Sequence, residues 1–150
     1  MALELDWGKD DEIIEVTSIA QAHNFISSFA RGYETIVGER GSSLSGGQKQ
    51  RLAISRALIR KPEILIFDDS TSALDLATEA KLYKELKTKM DDTTIILIAQ
   101  RVASARNADR IAVIEKGRLV ACDKHEVLIE TCPVYQDIYN SQLKRGDENE

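Results

Sequence analysis

Two short segments combine residue types that can bind phosphate and metal ions. The first runs from Leu44 to Gln48, where Ser45 is followed by Gly46, Gly47 and Gln48. Ser45 and Gln48 have the three-residue spacing of a capping box, so a helix is predicted to begin here. Free N–H groups and the helix dipole attract an anion at such a start, and glycine lets a phosphate approach the backbone. A glycine turn with an N-cap and no ligand is the alternative interpretation.

The second segment is an apolar run that ends in two carboxylates. Residues 63–67 predict a short buried strand, and Asp68 and Asp69 follow it directly. Ligands of open α/β sheets bind at the carboxyl ends of strands, where a carboxylate can hold Mg²⁺, usually through water. The alternative is an aspartate that only caps the following loop. The residues alone leave both interpretations open.

Helices and strands must position these two segments. The apolar spacing predicts a helix that begins at Ser45 and ends before Pro62, and another over residues 76–90. Leu52, Ala53, Ala57 and Leu58 form the predicted apolar stripe of the first helix, and Ala80, Tyr83 and Leu86 that of the second. A second buried strand over residues 93–99 implies a parallel sheet covered on both faces, and residues 111–120 predict a hairpin. The predicted class is therefore α/β with a mainly parallel, incomplete sheet.

Composition excludes several classes of protein. The 150 residues carry 20 basic and 25 acidic side chains, a net charge of −5, with 43% hydrophobic residues. This apolar content argues against disorder, and the acidic balance argues against a nucleic-acid binder. We expect no membrane span, because no apolar run approaches about 18 residues, and no signal peptide over Met1 to Asp10. Cys122 and Cys132 lack metal or disulfide spacing, which favours a reducing compartment.

The order of the segments is more specific than either segment alone. Residues 44–48, the helix over 50–60, residues 64–69, and then Ser72-Ala73-Leu74-Asp75 resemble the signature motif, Walker B strand and D-loop of the ATP-binding cassette (ABC) family. The resemblance implies an incomplete P-loop NTPase core of ABC type with part of the α-helical subdomain. In that arrangement residues 1–60 are mostly helical and contain the signature motif, residues 61–143 form the C-terminal part of the catalytic core, and residues 144–150 form a charged tail.

The same resemblance implies the ligands and partners. ATP and Mg²⁺ would be the cofactors, with Asp68 at the metal. In this family two nucleotide-binding domains sandwich ATP head to tail, so the Ser45–Gln48 segment and Asp75 would act on nucleotide held by a second such domain. The segment from Thr35 to Gly41 looks like the exporter segment that faces the transmembrane domains. The expected location is the cytoplasmic side of the cell membrane, with no nucleic acid as partner.

Two residues depart from the family pattern at predicted catalytic positions. Asp69 stands where the family usually has the glutamate that polarises the attacking water, and Gln100 stands where the switch strand usually ends in histidine. An amide can donate a hydrogen bond but cannot carry positive charge. Together the two changes predict slow hydrolysis, as in the degenerate-site subunit of a heterodimeric exporter whose signature motif is intact.

The phosphate loop of the family is absent from the sequence. No G-x-x-x-x-G-K-[ST] pattern occurs, and the sole Gly-Lys pair is Gly8-Lys9. We therefore expect the C-terminal portion of a nucleotide-binding domain, inactive and weak in ATP binding by itself. One alternative is a lobe of a DNA-repair or chromosome-maintenance ATPase, although residues 1–33 lack the heptads of the coiled coil expected there. Another is a non-catalytic docking fragment.

Overall fold

The chain is seen in a computed structural model that describes residues 10–38 and 41–147, with side chains described as far as residue 143. The Gly8-Lys9 pair and the last three residues of the predicted tail lie outside the described residues. The described chain separates into two compact units, the first ending at Ile98 and the second beginning at Ala99. Within the described residues, no helix is both long enough and apolar enough to cross a membrane.

The first unit combines helices with a small parallel sheet, as the sequence predicts. Three acidic side chains lie in the first turn of its first helix, where their negative charge stabilises the positive end of the helix dipole. Strands β1 and β2 pair in parallel from Ile64 opposite Thr94 to Asp68 opposite Ile98. In chain order the elements are α1 (Asp10–Ile19), α2 (His23–Ser27), a 3-10 turn (Gly32–Glu34), α3 (Gly46–Leu58), β1 (Ile64–Asp68), α4 (Leu76–Lys89) and β2 (Thr94–Ile98).

One face of this sheet forms the core of the first unit. Leu65 and Phe67 on β1 are buried and belong to one apolar cluster with residues of α1, α3 and α4. The alternate residues Ile64 and Ile66 are 60% and 59% exposed. The expectation of a parallel sheet covered on both faces is therefore wrong for the described residues. Alternation along β1 sends every second side chain to the opposite face, where Ile64 and Ile66 stay largely exposed.

The predicted stripes of α3 and α4 are confirmed except at one position each, since Leu52, Leu58 and Leu86 are buried and Ala57 and Tyr83 pack against the core. On α3, Ile54 is buried and Ala53 is exposed; on α4, Glu79 is buried and Ala80 is exposed. One residue turns a side chain by about 100° around a helix, so neighbouring positions such as Ala53 and Ile54 can differ sharply in burial. The larger Ile54 fills the core, and Glu79 is tolerated there because two hydroxyl groups hydrogen-bond to its carboxylate.

The second unit contains an antiparallel hairpin and three helices. The predicted hairpin is confirmed, with a two-residue loop in which Lys116 and Gly117 have φ values of 49° and 76°, as a type I′ turn requires. Its core contains Val102, Leu128 and Tyr135. The last helix continues to Asp147, so the first residues of the predicted tail are helical. The elements are α5 (Val102–Ala105), β3 (Ile111–Glu115), β4 (Arg118–Asp123), α6 (His125–Thr131) and α7 (Pro133–Asp147).

Leu82→Ala should destabilise the first unit strongly. Leu82 on α4 is completely buried, so truncation leaves a cavity and should lower the free energy of unfolding by about 2–5 kcal/mol. Leu76→Ala on the same helix is the matched control, because Leu76 is 58% exposed. Urea denaturation of the chain measures both values. Equal losses for the two variants would contradict the placement of α4.

Candidate functional site

Helix α3 begins with an uncompensated positive end. The predicted capping box is confirmed: the Ser45 N–H donates to Gln48 Oε1 at 2.8 Å, and the Gln48 N–H donates to Ser45 Oγ at 3.2 Å. The N–H groups of Gly46 and Gly47 have no acceptor within the helix, because the first turn has no preceding carbonyls to use. No acidic side chain lies in this first turn. An anion would therefore be stabilised here by both the N–H groups and the dipole.

The same turn packs closely against the loop that follows β1. A methyl group added at Gly47 would come within 2.9 Å of the Ala73 carbonyl oxygen, whereas one added at Gly46 would lie 3.6 Å from Ala73 Cβ. Gly47 is therefore required for a close backbone approach inside this chain. Gly46 is exposed, which leaves its backbone open to a ligand.

Gln50 hydrogen-bonds to the same loop and was not singled out by the sequence. Its Oε1 accepts from the Ala73 N–H at 2.9 Å, and its Nε2 donates to Ser72 Oγ at 3.1 Å and to the Asp69 carbonyl oxygen at 3.4 Å. One half-buried amide thus connects α3 to three points of the loop. The sequence gives one weak signal for this role, a glutamine two residues after Gln48. A glutamine by itself does not indicate which groups its amide will bind.

Asp68 and Asp69 lie at the carboxyl end of β1, as predicted. Both side chains are exposed. The φ value of Asp69 is 51°, a left-handed conformation that aspartate and asparagine tolerate better than most residues. The Asp69 carbonyl oxygen also accepts from Ser72 Oγ at 3.1 Å. The loop thus turns sharply after the strand and leaves both carboxylates facing solvent.

A buried polar cluster holds the loop from the side of α4. Thr71 Oγ1 donates to Glu79 Oε1 at 2.7 Å, and Tyr83 OH donates to the same oxygen at 3.4 Å. Thr71 and Glu79 are only 8% and 4% exposed. Burial raises the pKa of Tyr83 from 10.0 to about 12, so this phenol stays protonated and can donate. The loop is therefore fixed between α3 on one side and α4 on the other.

Asp75 ends the loop and caps α4. Its carboxylate accepts from the Thr78 N–H at 2.9 Å and from Thr78 Oγ1 at 2.7 Å. These bonds to Thr78, the hydroxyl first, lower the pKa of Asp75 below its ordinary 3.8. The capping role of this predicted site residue is confirmed, and its exposed position leaves it accessible to a partner.

The other predicted site residues belong to other parts of the chain. Gln100 belongs to the second unit, two residues after the end of β2, and its side chain is exposed. In residues 35–41, Ile36 is 70% exposed and Val37 is buried, while residues 39 and 40 lie outside the described residues. Within the described ranges, no three His, Cys, Asp or Glu side chains cluster closely enough to hold a metal ion.

Arg51 is half-buried and supports the start of α3 through partners that the sequence did not indicate. Its Nη1 donates to the Gln21 carbonyl oxygen at 2.7 Å, its Nε donates to the Gly47 carbonyl oxygen at 3.2 Å, and its guanidinium lies 4.7 Å from the centre of the Phe25 ring. It therefore ties the beginning of α3 to the turn between α1 and α2. No sequence pattern indicates this, because the Gln21 partner lies 30 residues away.

Comparison with known proteins gives consistent matches. A sequence model of the ABC transporter family matches residues 7–72. YfiB of Bacillus subtilis (strain 168), an uncharacterized ABC transporter ATP-binding protein, is 47% identical over 143 residues, which cover 93% of this chain and 25% of YfiB. The alpha-hemolysin translocation ATP-binding protein HlyB of Escherichia coli is 47% identical over 133 residues, which cover 88% of this chain and 19% of HlyB.

A solved structure agrees with these matches. A bacterial Atm1-family ABC exporter with ATP bound has a TM-score of 0.84 at 37% sequence identity, covering 90% of this chain and 24% of that chain. The chain therefore spans a quarter or less of the length of these relatives. Its fold is that of an incomplete P-loop NTPase core from an ATP-binding domain. The chain belongs to the ABC transporter family.

Gly47→Ala should destabilise the chain although alanine favours helices. The new methyl group would lie 2.9 Å from the Ala73 carbonyl oxygen, so α3 or the loop must shift at a cost of about 1–3 kcal/mol. Gly46→Ala is the control, since its methyl group would make an ordinary contact at 3.6 Å. Chemical denaturation of the two variants gives the comparison. A Gly47→Ala variant as stable as Gly46→Ala would show that the loop does not pack here.

Asp75→Asn should flatten the acid side of the stability profile. Because the pKa of Asp75 is lowered on folding, its ionised form adds stability that is present above pH 3.8 and is lost as the pH falls below it. Asparagine can still cap the helix but does not titrate. The measurement is the melting temperature at pH 5 and at pH 3. Thr78→Ala should reduce the same acid sensitivity in part, because it removes one donor; an unchanged profile in both variants contradicts the assignment.

Proposed function

We propose that this chain is the C-terminal part of the nucleotide-binding domain of an ABC exporter, in which ATP binding and hydrolysis drive solute export. The observation that carries the proposal is the uncompensated start of α3, held against the loop that bears Asp69 and Asp75. The names of two relatives add support, because HlyB is a translocation ATP-binding protein and the solved structure is an exporter with ATP bound.

The residues present fit a magnesium nucleotide. Gly46 is exposed, so its N–H group and the dipole of α3 suit a phosphate, and no carboxylate of the first turn competes with that phosphate. Asp68 suits Mg²⁺, which is commonly bound through one or two carboxylates together with phosphate oxygens and water. Bound Mg²⁺ would offset charge that develops on the transferred phosphoryl group.

A second nucleotide-binding domain completes the site in this proposal. The Ser45–Gln48 segment and Asp75 would contact nucleotide held by that partner, in a head-to-tail dimer. In the capping box Ser45 Oγ and Gln48 Oε1 act as acceptors, so the Ser45 hydroxyl and the Gln48 amide group can still donate to a phosphate beside the N–H groups at the start of the helix. Residues 35–41, with exposed Ile36, would contact the transmembrane domains at the cytoplasmic side of the membrane.

Asp69 and Gln100 would make this chain's own site slow. The Asp69 carboxylate would orient the attacking water but is one methylene shorter than glutamate, a retreat of about 1 Å that can lower the rate by about a hundredfold. Its left-handed φ of 51° gives aspartate a conformational advantage at this position. Gln100 would donate a neutral hydrogen bond where a histidine could add charge. We therefore propose one half of a heterodimer, with a slow site here and a competent site on the partner.

Asp69→Glu combined with Gln100→His should raise turnover at the slow site of the full-length pair. Restoring the reach of the carboxylate and the charge of the imidazole should increase site-resolved turnover by about tenfold or more. Turnover is measured with the partner's own catalytic site inactivated, so that only this site contributes. Asp91→Glu makes the same side-chain change in an exposed turn and should leave turnover unchanged. No increase in the double variant would overturn the assignment of the slow site.

A further inference from the structure

Helix α5 begins without a capping side chain of its own. Arg101 occupies the N-cap position, and its side chain makes no capping hydrogen bond. The first N–H of the helix belongs to Val102, a buried residue at 6% exposure. Such an N–H group has no acceptor within the helix, and leaving it unpaired is destabilising. An acceptor must come from elsewhere in the fold.

Gln142 on α7 supplies that acceptor and a donor as well. Its Oε1 accepts from the Val102 N–H at 2.8 Å, and its Nε2 donates to the Gln100 carbonyl oxygen at 2.8 Å. The Val102 N–H and the Gln100 C=O thus bind the oxygen and the nitrogen of the same side-chain amide. A carboxylate of the same length could accept from Val102 but could not donate to Gln100.

Packing against the second unit's core fixes helix α7, which carries Gln142. Tyr135 on α7 is 3% exposed and belongs to the same apolar cluster as Val102 and Leu128. Tyr135 OH also hydrogen-bonds to His125 Nδ1 at 2.8 Å, which connects α7 to the start of α6. Two interactions therefore hold residues 100–102: the Val102 side chain packs in the apolar cluster, and Gln142 hydrogen-bonds to the backbone.

We infer that Gln142 is a positioning residue that fixes the backbone of Gln100 and thereby aims its exposed side chain at the nucleotide. This inference rests on the proposed role of Gln100. Gln142 fixes the carbonyl group of Gln100 and therefore the backbone from which the Gln100 side chain extends. If that hydrogen bond is lost, the backbone can rotate and the side chain no longer has a fixed direction. Gln142 itself would contact neither the nucleotide nor the reacting atoms. It acts on the rate through Gln100.

The first test measures the loop directly. In the full-length transporter, Gln142→Ala should speed hydrogen exchange of the peptide containing Val102 by about fivefold, as expected for one lost hydrogen bond. Gln142→Glu should keep Val102 protected while losing the bond to Gln100. The control is Gln136→Ala, also on α7, whose amide donates to the Ile129 carbonyl oxygen and not to the loop. Unchanged exchange in Gln142→Ala would overturn the inference.

The second test separates positioning from general stability. Gln142→Ala and Gln142→Glu should lower kcat at this site by about tenfold with little change in KM, because a displacement below 1 Å acts on the reacting geometry. In a Gln100→Ala background Gln142→Ala should have no further effect, since both act through one side chain. An additive effect, or a loss matched by Gln136→Ala, would overturn the inference. If Gln100→Ala itself leaves turnover unchanged, the proposed function of Gln100 fails instead.

Discussion

The hydrogen bonds of the loop between β1 and α4 are the constraint on which the candidate site depends. This loop leaves a buried strand, turns through a left-handed residue and enters a helix, so few of its backbone groups can pair with one another. Gln50 from α3 supplies donors and an acceptor on one side. Glu79 and Tyr83 from α4 bind Thr71 on the other. Asp69 and Asp75 occupy defined positions because the loop between them is held in this way.

A consequence is that the start of α3 and the loop after β1 belong to one structural unit. Gly47 and Gln50, three residues apart on α3, both contact Ala73. Under the proposed function, the segment that approaches the partner's nucleotide and the carboxylate that serves this chain's own site would move together. The two glycines then have separate roles: Gly47 permits packing inside the chain, and Gly46 leaves a backbone open to phosphate.

The second unit repeats the same physical solution with different residues. Gln142 satisfies the two ends of the loop after β2, as Gln50 satisfies the loop after β1. In both cases a side-chain amide on a packed helix provides a donor and an acceptor at once. Gln142 pairs with one backbone N–H and one C=O, and Gln50 pairs with the Ala73 N–H and the Asp69 C=O, which also accepts from Ser72. Apolar packing of the helix then fixes the backbone beside a predicted site residue, Asp69 in one unit and Gln100 in the other.

The sequence by itself determined the features that depend on near neighbours. The capping box of Ser45 and Gln48, the two-residue hairpin turn at Lys116 and Gly117, and the strand ending in Asp68 all arise within a few residues, where spacing is informative. Tertiary structure alone decided which side chains support the site. Ala73 and Gln50 are 23 residues apart, and Gln100 and Gln142 are 42 residues apart. No local pattern encodes such pairs. The local propensities of a glutamine are the same whether or not folding brings a backbone group from a distant segment within reach of its amide.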